Sequence, residues 1–275
     1  MINRSFFSVC GIVVALSLGL SACNSEEQTS ALDTLNTQNY LGGNTSDSSN
    51  EFVVMNPVIE TTGQSDSAND SEATDELETS SKLDSAEQHH LIFMREEEKL
   101  ARDVYASLAS MWPDSRVFVN IGEGSEQTHM DIIRDKLVDY GMDDPDPEAN
   151  SLPSSIGVFT GEVYGAYFFD KYQLLINKGS QSELDALYVG AFIEELDMHD
   201  IVECPKVIVD TDNGITNCGL NYTDEKPLII AYSSLLDGSK NHLRSFVGRI
   251  ENIIGAGNYA AQVITQDEVN DILGR

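Results

Sequence analysis

The chain has 275 residues, enough for one good-sized core and an additional segment. Its 46 acidic against 16 basic side chains leave a formal charge of −30. That excludes nucleic acid as the natural partner, because phosphate recognition needs a basic face. No glycine-rich phosphate loop or Ser/His/Asp ordering stands out, so nucleotide-binding and hydrolase readings rank low.

Residues 1–22 read as a targeting segment, with a positive start at Arg4 and a mostly apolar run from Phe6 to Leu20. Leu20-Ser21-Ala22-Cys23 resembles the bacterial lipoprotein signal, in which the cysteine becomes the acylated first residue. That resemblance implies lipidation at Cys23 and a membrane partner reached through the lipid; plain secretion with an accidental cysteine is the alternative. Asn24 follows rather than Asp, so retention in the inner membrane is not signalled. The expected location is the bacterial cell envelope, at the outer membrane, facing the periplasm or the surface. Two or three acyl chains hold firmly where one is marginal.

Residues 23–87 form an acidic tether rich in Ser, Thr, Asn, Asp and Glu. Between Asn24 and Glu87 stand 14 acids and one base, Lys82. Such composition buries too little apolar surface to offset chain entropy, which predicts disorder. Phe52-Val53-Val54-Met55 is a short apolar island. A spacer lifting a domain off a membrane and a weakly selected tail fit equally well.

Residues 88–275 carry the folded domain. Its first helix is expected from His89 to Trp112-Pro113, where proline ends it. Leu91, Met94, Glu98, Ala101, Tyr105 and Leu108 recur at three-four spacing and define one face. Glu98 falls on that stripe, Glu97 lies on a neighbouring line, and Glu96 is expected in solvent. A second helix is expected over Asn120–Tyr140, closed by Gly141. On it Glu126-x-x-His129 points a carboxylate and an imidazole the same way, in phase with Ile133 and Leu137. An Asp/Pro-rich loop follows from Asp143, then a short helix within a long crossover over Gly161–Asn177.

The third helix is expected from Ser180 to Val202, opened by a capping box between Ser180 and Glu183. Leu187, Gly190, Glu194, Asp197 and Ile201 share one face, so Glu194-x-x-Asp197 repeats the geometry of Glu126-x-x-His129. A second stripe of Val189, Ile193, Leu196 and Asp200 leaves the register open, with Glu195 as the alternative ligand. His199 lies off both stripes and is expected at the surface. Val207-Ile208-Val209 reads as a strand, Asp212-Asn213-Gly214 as its turn, and Ile215-Thr216-Asn217 as a returning strand. Cys204 and Cys218 flank this hairpin and are expected to form a disulfide; no His or second Cys pair is near to make a zinc site. Closing that loop is worth roughly 3 kcal/mol in the chain-entropy picture. The fourth helix is expected from Pro227 to Ile254, with His242 on the face of Ala231, Leu235, Phe246 and Ile250. A short last helix is capped by Thr265 and Glu268.

Four helices thus send Glu98, Glu126, His129, Glu194, Asp197 and His242 toward one buried midplane, with Glu97 and Glu195 as second choices. Four carboxylates balance two Fe(II) ions, whereas unpaired burial costs several kcal/mol per charge. Carboxylate with imidazole suits iron or manganese; without thiolates, structural zinc fits less well.

Glu98 with Tyr105, Glu126-x-x-His129, the long crossover and the third acidic helix resemble the ferritin-like, rubrerythrin-related di-iron bundles. More closely, the run Leu91–Tyr105, Ser125-Glu126-Gln127-Thr128-His129-Met130, Gly190–Asp197 and Gly238-Ser239-Lys240-Asn241-His242-Leu243 resemble the DUF2202 family, from about His89 to the C terminus. The resemblance implies an all-α, ferritin-like four-helix bundle with a crossover between helices two and three, here with a disulfide-closed hairpin insertion and a short C-terminal helix. It implies two irons, or manganese, and oxidation of Fe(II) or reduction of oxygen or peroxide. Tyr105 and Ser239 would stand just behind the ligands; a core tyrosine is the plainer role for Tyr105. One departure matters: the wider pattern has Glu-x-x-His on the fourth helix, and Ser239 stands where that Glu would be. Asp197 can replace it; otherwise the site is mononuclear or holds no metal. A metal binder without turnover and a purely structural bundle stay open beside the enzyme, and a homodimer is an admissible assembly.

Overall fold

The computed structural model describes residues 82–211 and 213–275. The signal segment, Cys23, the tether up to Ser81 with its apolar island, and Asp212 of the expected turn lie outside the described residues.

Helix α1 spans Ser85–Met111 and starts four residues before the expected His89, because Asp84 and Glu87 form a reciprocal capping box. After the Trp112-Pro113 break come α2 (Val117–Asn120), a π-helical turn (Ile121–Glu126) and α3 (Gln127–Asp139). The single second helix expected over Asn120–Tyr140 is therefore interrupted at its start by a wider turn. Gly141, at φ 68°, takes the left-handed conformation that closes α3. Within the crossover lies α4 (Gly165–Gly179). Helix α5 (Glu183–Val202) is capped by Ser182, which accepts from the Asp185 amide at 3.0 Å, so the cap stands two residues past the expected Ser180.

Helix α6 (Lys206–Asp210) occupies the place of the expected hairpin, and no strand occurs among the described residues. Pro205 immediately precedes this short turn, Lys206 pairs with Asp210 four residues on, and only Ile208 of the β-branched run needs burial. The Cys204–Cys218 disulfide is present and holds the ends of this excursion together without a strand ladder. Helix α7 (Lys226–Ile254) carries Pro227 in its first turn, and α8 (Gln266–Leu273) opens with the Thr265–Glu268 capping box.

Helix α1 packs on α3, α4 and α5; α5 packs on α7, and α7 touches α3, so the contacts close a circuit. The interior of that circuit includes Leu91, Met94, Tyr105, Leu187, Leu235 and Phe246, all fully or nearly fully buried. The opposite side of α1 is covered as well. There the crossover lies against a charged row, and its backbone takes up the charges. Arg95 forms a two-pronged pair with Asp144 at 3.0 and 2.8 Å. Lys99 donates to the Ser155 carbonyl, Arg102 to that of Ala149, and Asp103 accepts from the Gly157 amide. This corrects the expectation for Glu96: it is wholly buried, because the crossover excludes the solvent that a free helix face would have. Burial, with Asp146 nearby, pushes its carboxyl up to about 8.

Candidate metal centre

Five side chains meet inside the circuit. Glu98 comes from the apolar stripe of α1, Glu126 from the last residue of the π turn, His129 from the first turn of α3, Glu194 from α5 and His242 from α7. All five are buried. Glu98, Glu126 and His129 form one group whose ligand-type atoms lie within 4.8 Å of one another; Glu126, Glu194 and His242 form a second.

Glu126 belongs to both groups, one oxygen to each. Its Oε2 lies 3.2 Å from His129 Nδ1, and its Oε1 lies 2.8 Å from His242 Nδ1. Each imidazole has a second carboxylate against the same nitrogen: Glu98 Oε2 at 3.3 Å from His129 and Glu194 Oε2 at 3.2 Å from His242. The rings stand 5.5 Å apart between centroids. The arrangement is two Glu/His pairs facing each other across one shared carboxylate.

The electrostatics follow from that layout. Burial alone would lower both imidazoles, but the carboxylates around each outweigh it. His129 is pushed up to about 12, chiefly by Glu98 and Glu126, and His242 to about 10, chiefly by Glu194 and Glu126. Glu126, buried yet held between two imidazoliums, falls to about 2. Burial lifts Glu98 to about 7 against the pull of His129, and raises Glu194 as well.

Neighbouring groups set the ligands' orientations. Tyr105 donates its hydroxyl to Glu194 Oε1 at 2.5 Å, with the Gly190 carbonyl at 3.3 Å. Burial, with Glu194 beside it, keeps that phenol well above its ordinary range. His242 Nε2 lies 2.7 Å from Ser125 Oγ, which the π turn brings over the edge of the cluster. Gly238, one turn before His242, packs against the His129 ring so closely that a Cβ would stand 2.3 Å from Nε2.

The other expected ligands are placed elsewhere. Asp197 is buried beside the cluster but belongs to neither group; Ser239 donates to its Oδ2, and its Oδ1 has no hydrogen-bond partner. Burial and the nearby Glu98 hold it well above the carboxylate range. Glu97 is turned toward Asp200 of α5, and burial with Asp200 and Asp197 raises it strongly. Glu195 points away altogether. It accepts from the Tyr259 hydroxyl at 2.6 Å and from the amides of Gln262, Val263 and Ile264, and so anchors the C-terminal segment. His199 is half-buried rather than on the open surface, with Nδ1 2.8 Å from Asp200 Oδ1. A cleft of about 580 Å³ opens between α5, α7 and α8, and none of the five clustered residues lines it.

The donors fit metal ions. Both oxygens of Glu98 and Oε1 of Glu126 are buried without hydrogen-bond partners of good geometry, although Glu98 Oε2 is at ion-pair distance from His129 and Glu126 Oε1 from His242. Buried carboxylate oxygens left in this way are costly unless a cation takes them. Three carboxylates with two imidazoles, and no thiolate, form a donor set that could hold a metal ion.

Sequence reasoning reached the five clustered residues. It missed Ser125, which looks like an ordinary polar residue on a helix, and Gly238, although a glycine inside a helix four residues before a buried histidine signals close approach.

The family description "Uncharacterized protein domain (DUF2202)" matches residues 87–275. The chain is 41% identical over 187 residues to the uncharacterized protein MJ0754 of Methanocaldococcus jannaschii, covering 68% of this chain and 86% of that protein. It also aligns with the crystal structure of the hypothetical protein MJ0754, at a TM-score of 0.56 and 36% identity, over 77% of this chain and 98% of that one.

Proposed function

The chain belongs to the DUF2202 family, and on that premise we propose that its buried Glu/His cluster is a two-metal carboxylate centre, iron or manganese, in a ferritin-like four-helix bundle. The observation that carries this reading is the shared carboxylate: Glu126 presents one oxygen to each of two Glu/His pairs. A structural hydrogen-bond network has no need of that symmetry.

Glu98 and His129 would hold one ion, Glu194 and His242 the other, and Glu126 would join them. Bound iron would supply one-electron redox chemistry toward oxygen or peroxide. The chain's own part is to orient and to shield. Tyr105 fixes one oxygen of Glu194 and leaves the other for His242 and the ion. Ser125 engages Nε2 of His242, so Nδ1 faces inward. Phe246 packs on the Tyr105 ring, 5.3 Å between centroids, and puts apolar surface behind that side of the site. With the signal at Leu20–Cys23, the functional reading is a lipid-anchored metal oxidase or peroxide-reducing protein of the cell envelope.

One observation favours a second reading, a bundle whose cluster is only structural. Without metal, two imidazoliums already offset most of the charge of Glu98, Glu126 and Glu194. Metal analysis separates the two. The purified chain is titrated anaerobically with Fe(II), exposed to oxygen, and compared with Glu126→Ala. Two irons per chain with new near-ultraviolet absorbance, both absent from the variant, support the centre. Background iron in both proteins leaves the structural bundle.

A further inference from the structure

The charged row between α1 and the crossover is largely satisfied, and apart from Arg95 Nη1 its unpartnered buried atoms are carboxylate oxygens. Asp146 is buried, and its Oδ1 accepts from the amide and the hydroxyl of Thr160, both at 2.7 Å. Its Oδ2 has no partner. The next residue, Gly161, lies on the carboxylate of Glu96: a Cβ there would stand 2.4 Å from Oε1 and 2.9 Å from Oε2. Two consecutive crossover residues therefore bring the two carboxylates together. Glu96 is 0% exposed, and neither of its oxygens has a partner. Gly165 belongs to the same wall; a Cβ on it would be 3.2 Å from the Phe159 carbonyl oxygen and 3.5 Å from Glu96 Oε1.

The surrounding cations are engaged elsewhere. Arg95 is paired with Asp144 through Nε and Nη2, with its Nη1 left over, Lys99 with Asp103 and the Ser155 carbonyl, and Arg102 with Asp103 and the Ala149 carbonyl. Four carboxylates thus face three cations. Three buried carboxylate oxygens, two from Glu96 and one from Asp146, remain without partners where Thr160 and Gly161 meet α1.

We propose that Glu96 and Asp146 form a second, separate cation site that fastens the crossover to α1 and takes a hard divalent ion such as Ca²⁺. The donors are all oxygen, with neither imidazole nor thiolate among them, which selects calcium-like ions over those suited to the Glu/His centre. The two sites lie on different sides of α1, because Glu96 and Glu98 are two residues apart, about 200° around the helix. The proposal is independent of the Glu/His reading.

The probe is calcium alone, added to the chelator-stripped full chain and followed by calorimetry, melting, and limited proteolysis within residues 143–161. Wild type should bind one Ca²⁺ per chain, melt higher with it, and resist cleavage there. Glu126→Gln should behave likewise. Asp146→Asn and Glu96→Gln should each bind at least tenfold more weakly and lose the calcium-dependent protection. Absence of a calcium effect on wild type overturns the proposal, as does calcium binding that survives in Asp146→Asn or disappears in Glu126→Gln. Using both amides keeps the test decisive if one variant fails to fold.

Discussion

Glu126→Gln separates a shared-carboxylate centre from two unrelated pairs. The substitution keeps the side chain's shape and removes its charge. In the metal-free protein, Glu126 is one of two carboxylates against each imidazole; His129 keeps Glu98 at 3.3 Å and His242 keeps Glu194 at 3.2 Å. Breaking a buried pair outright costs about 3–5 kcal/mol, so with the second carboxylates retained the loss should sit near 3 kcal/mol. For a domain of this size that lowers the melting temperature by about 6–12 °C. Metal adds a larger difference. Two ions, each at a free concentration a hundredfold above its dissociation constant, stabilise wild type by about 5 kcal/mol, or roughly 10–20 °C. Glu126→Gln should show none of that rise and hold no metal, whereas Glu98→Gln and Glu194→Gln should each retain one ion. Melting curves with Fe(II) or Mn(II) and with chelator, paired with elemental analysis, make the measurement. A Glu126→Gln protein that still carries two ions, or a Glu98→Gln protein that loses both, would refute the shared bridge.

Gly238→Ala places a Cβ 2.3 Å from His129 Nε2, so the ring must shift; metal content should fall from two ions to one, at about 1–3 kcal/mol of overpacking, and unchanged content would argue that the ring has room. The pH dependence of the metal-free form follows from the histidines. Their folded values of about 12 and about 10 lie above the ordinary 6.5, so their contribution is complete below pH 6.5 and drains away as pH climbs through those values. Glu98, raised to about 7, contributes in the same direction and drains earlier. Bound metal replaces those protons, so the melting gap between loaded and stripped protein should widen from pH 6 to pH 9, and a constant gap would contradict ligation by these imidazoles. Replacing Cys204 and Cys218 by serine should cost about 3 kcal/mol by freeing a closed loop, seen in denaturant unfolding, and should leave metal content unchanged.

Stripes of period 3.6 revealed the helices and the inward faces of Glu98, Glu126, His129 and His242, because each of those helices has one apolar side that residue spacing can mark. The same signal was ambiguous on α5, and the structure shows why. Both the Leu187–Ile201 and the Val189–Asp200 stripes are buried, so hydrophobicity carries no phase there, and Glu195 stayed a second choice beside Glu194. The π turn was invisible to the pattern because its extra residue falls between α2 and Glu126, where two glycines, Gly122 and Gly124, leave no stripe to be broken. Gly122 packs against Tyr105 with 3.0 Å between its would-be Cβ and the tyrosine Cβ, which brings the turn close to α1 and Ser125 onto His242. The Val207–Val209 run misled for a different reason. Strand propensity describes fit to a pleated surface, and among the described residues there is no neighbouring strand for it to fit.

The three consecutive glutamates of α1 show how much of a charge pattern is decided by what surrounds a helix. Each residue advances about 100° around the axis, so three in a row fan across most of the circumference. On a solvated helix they would make a single acidic patch. Here α1 is enclosed by the crossover, by α5 and by α3, and the three carboxylates meet three different neighbours. Glu96 lies on Gly161 of the crossover, Glu97 faces Asp200 of α5, and Glu98 meets His129 of α3. None of them reaches water, and only Glu98 has a basic partner at ion-pair distance. A helix that concentrates acid in this way is stable only if cations or protons arrive with the fold. The proposed centre and the proposed crossover site are two consequences of that one requirement, and removing metal and calcium together should therefore destabilise the domain more than removing either alone.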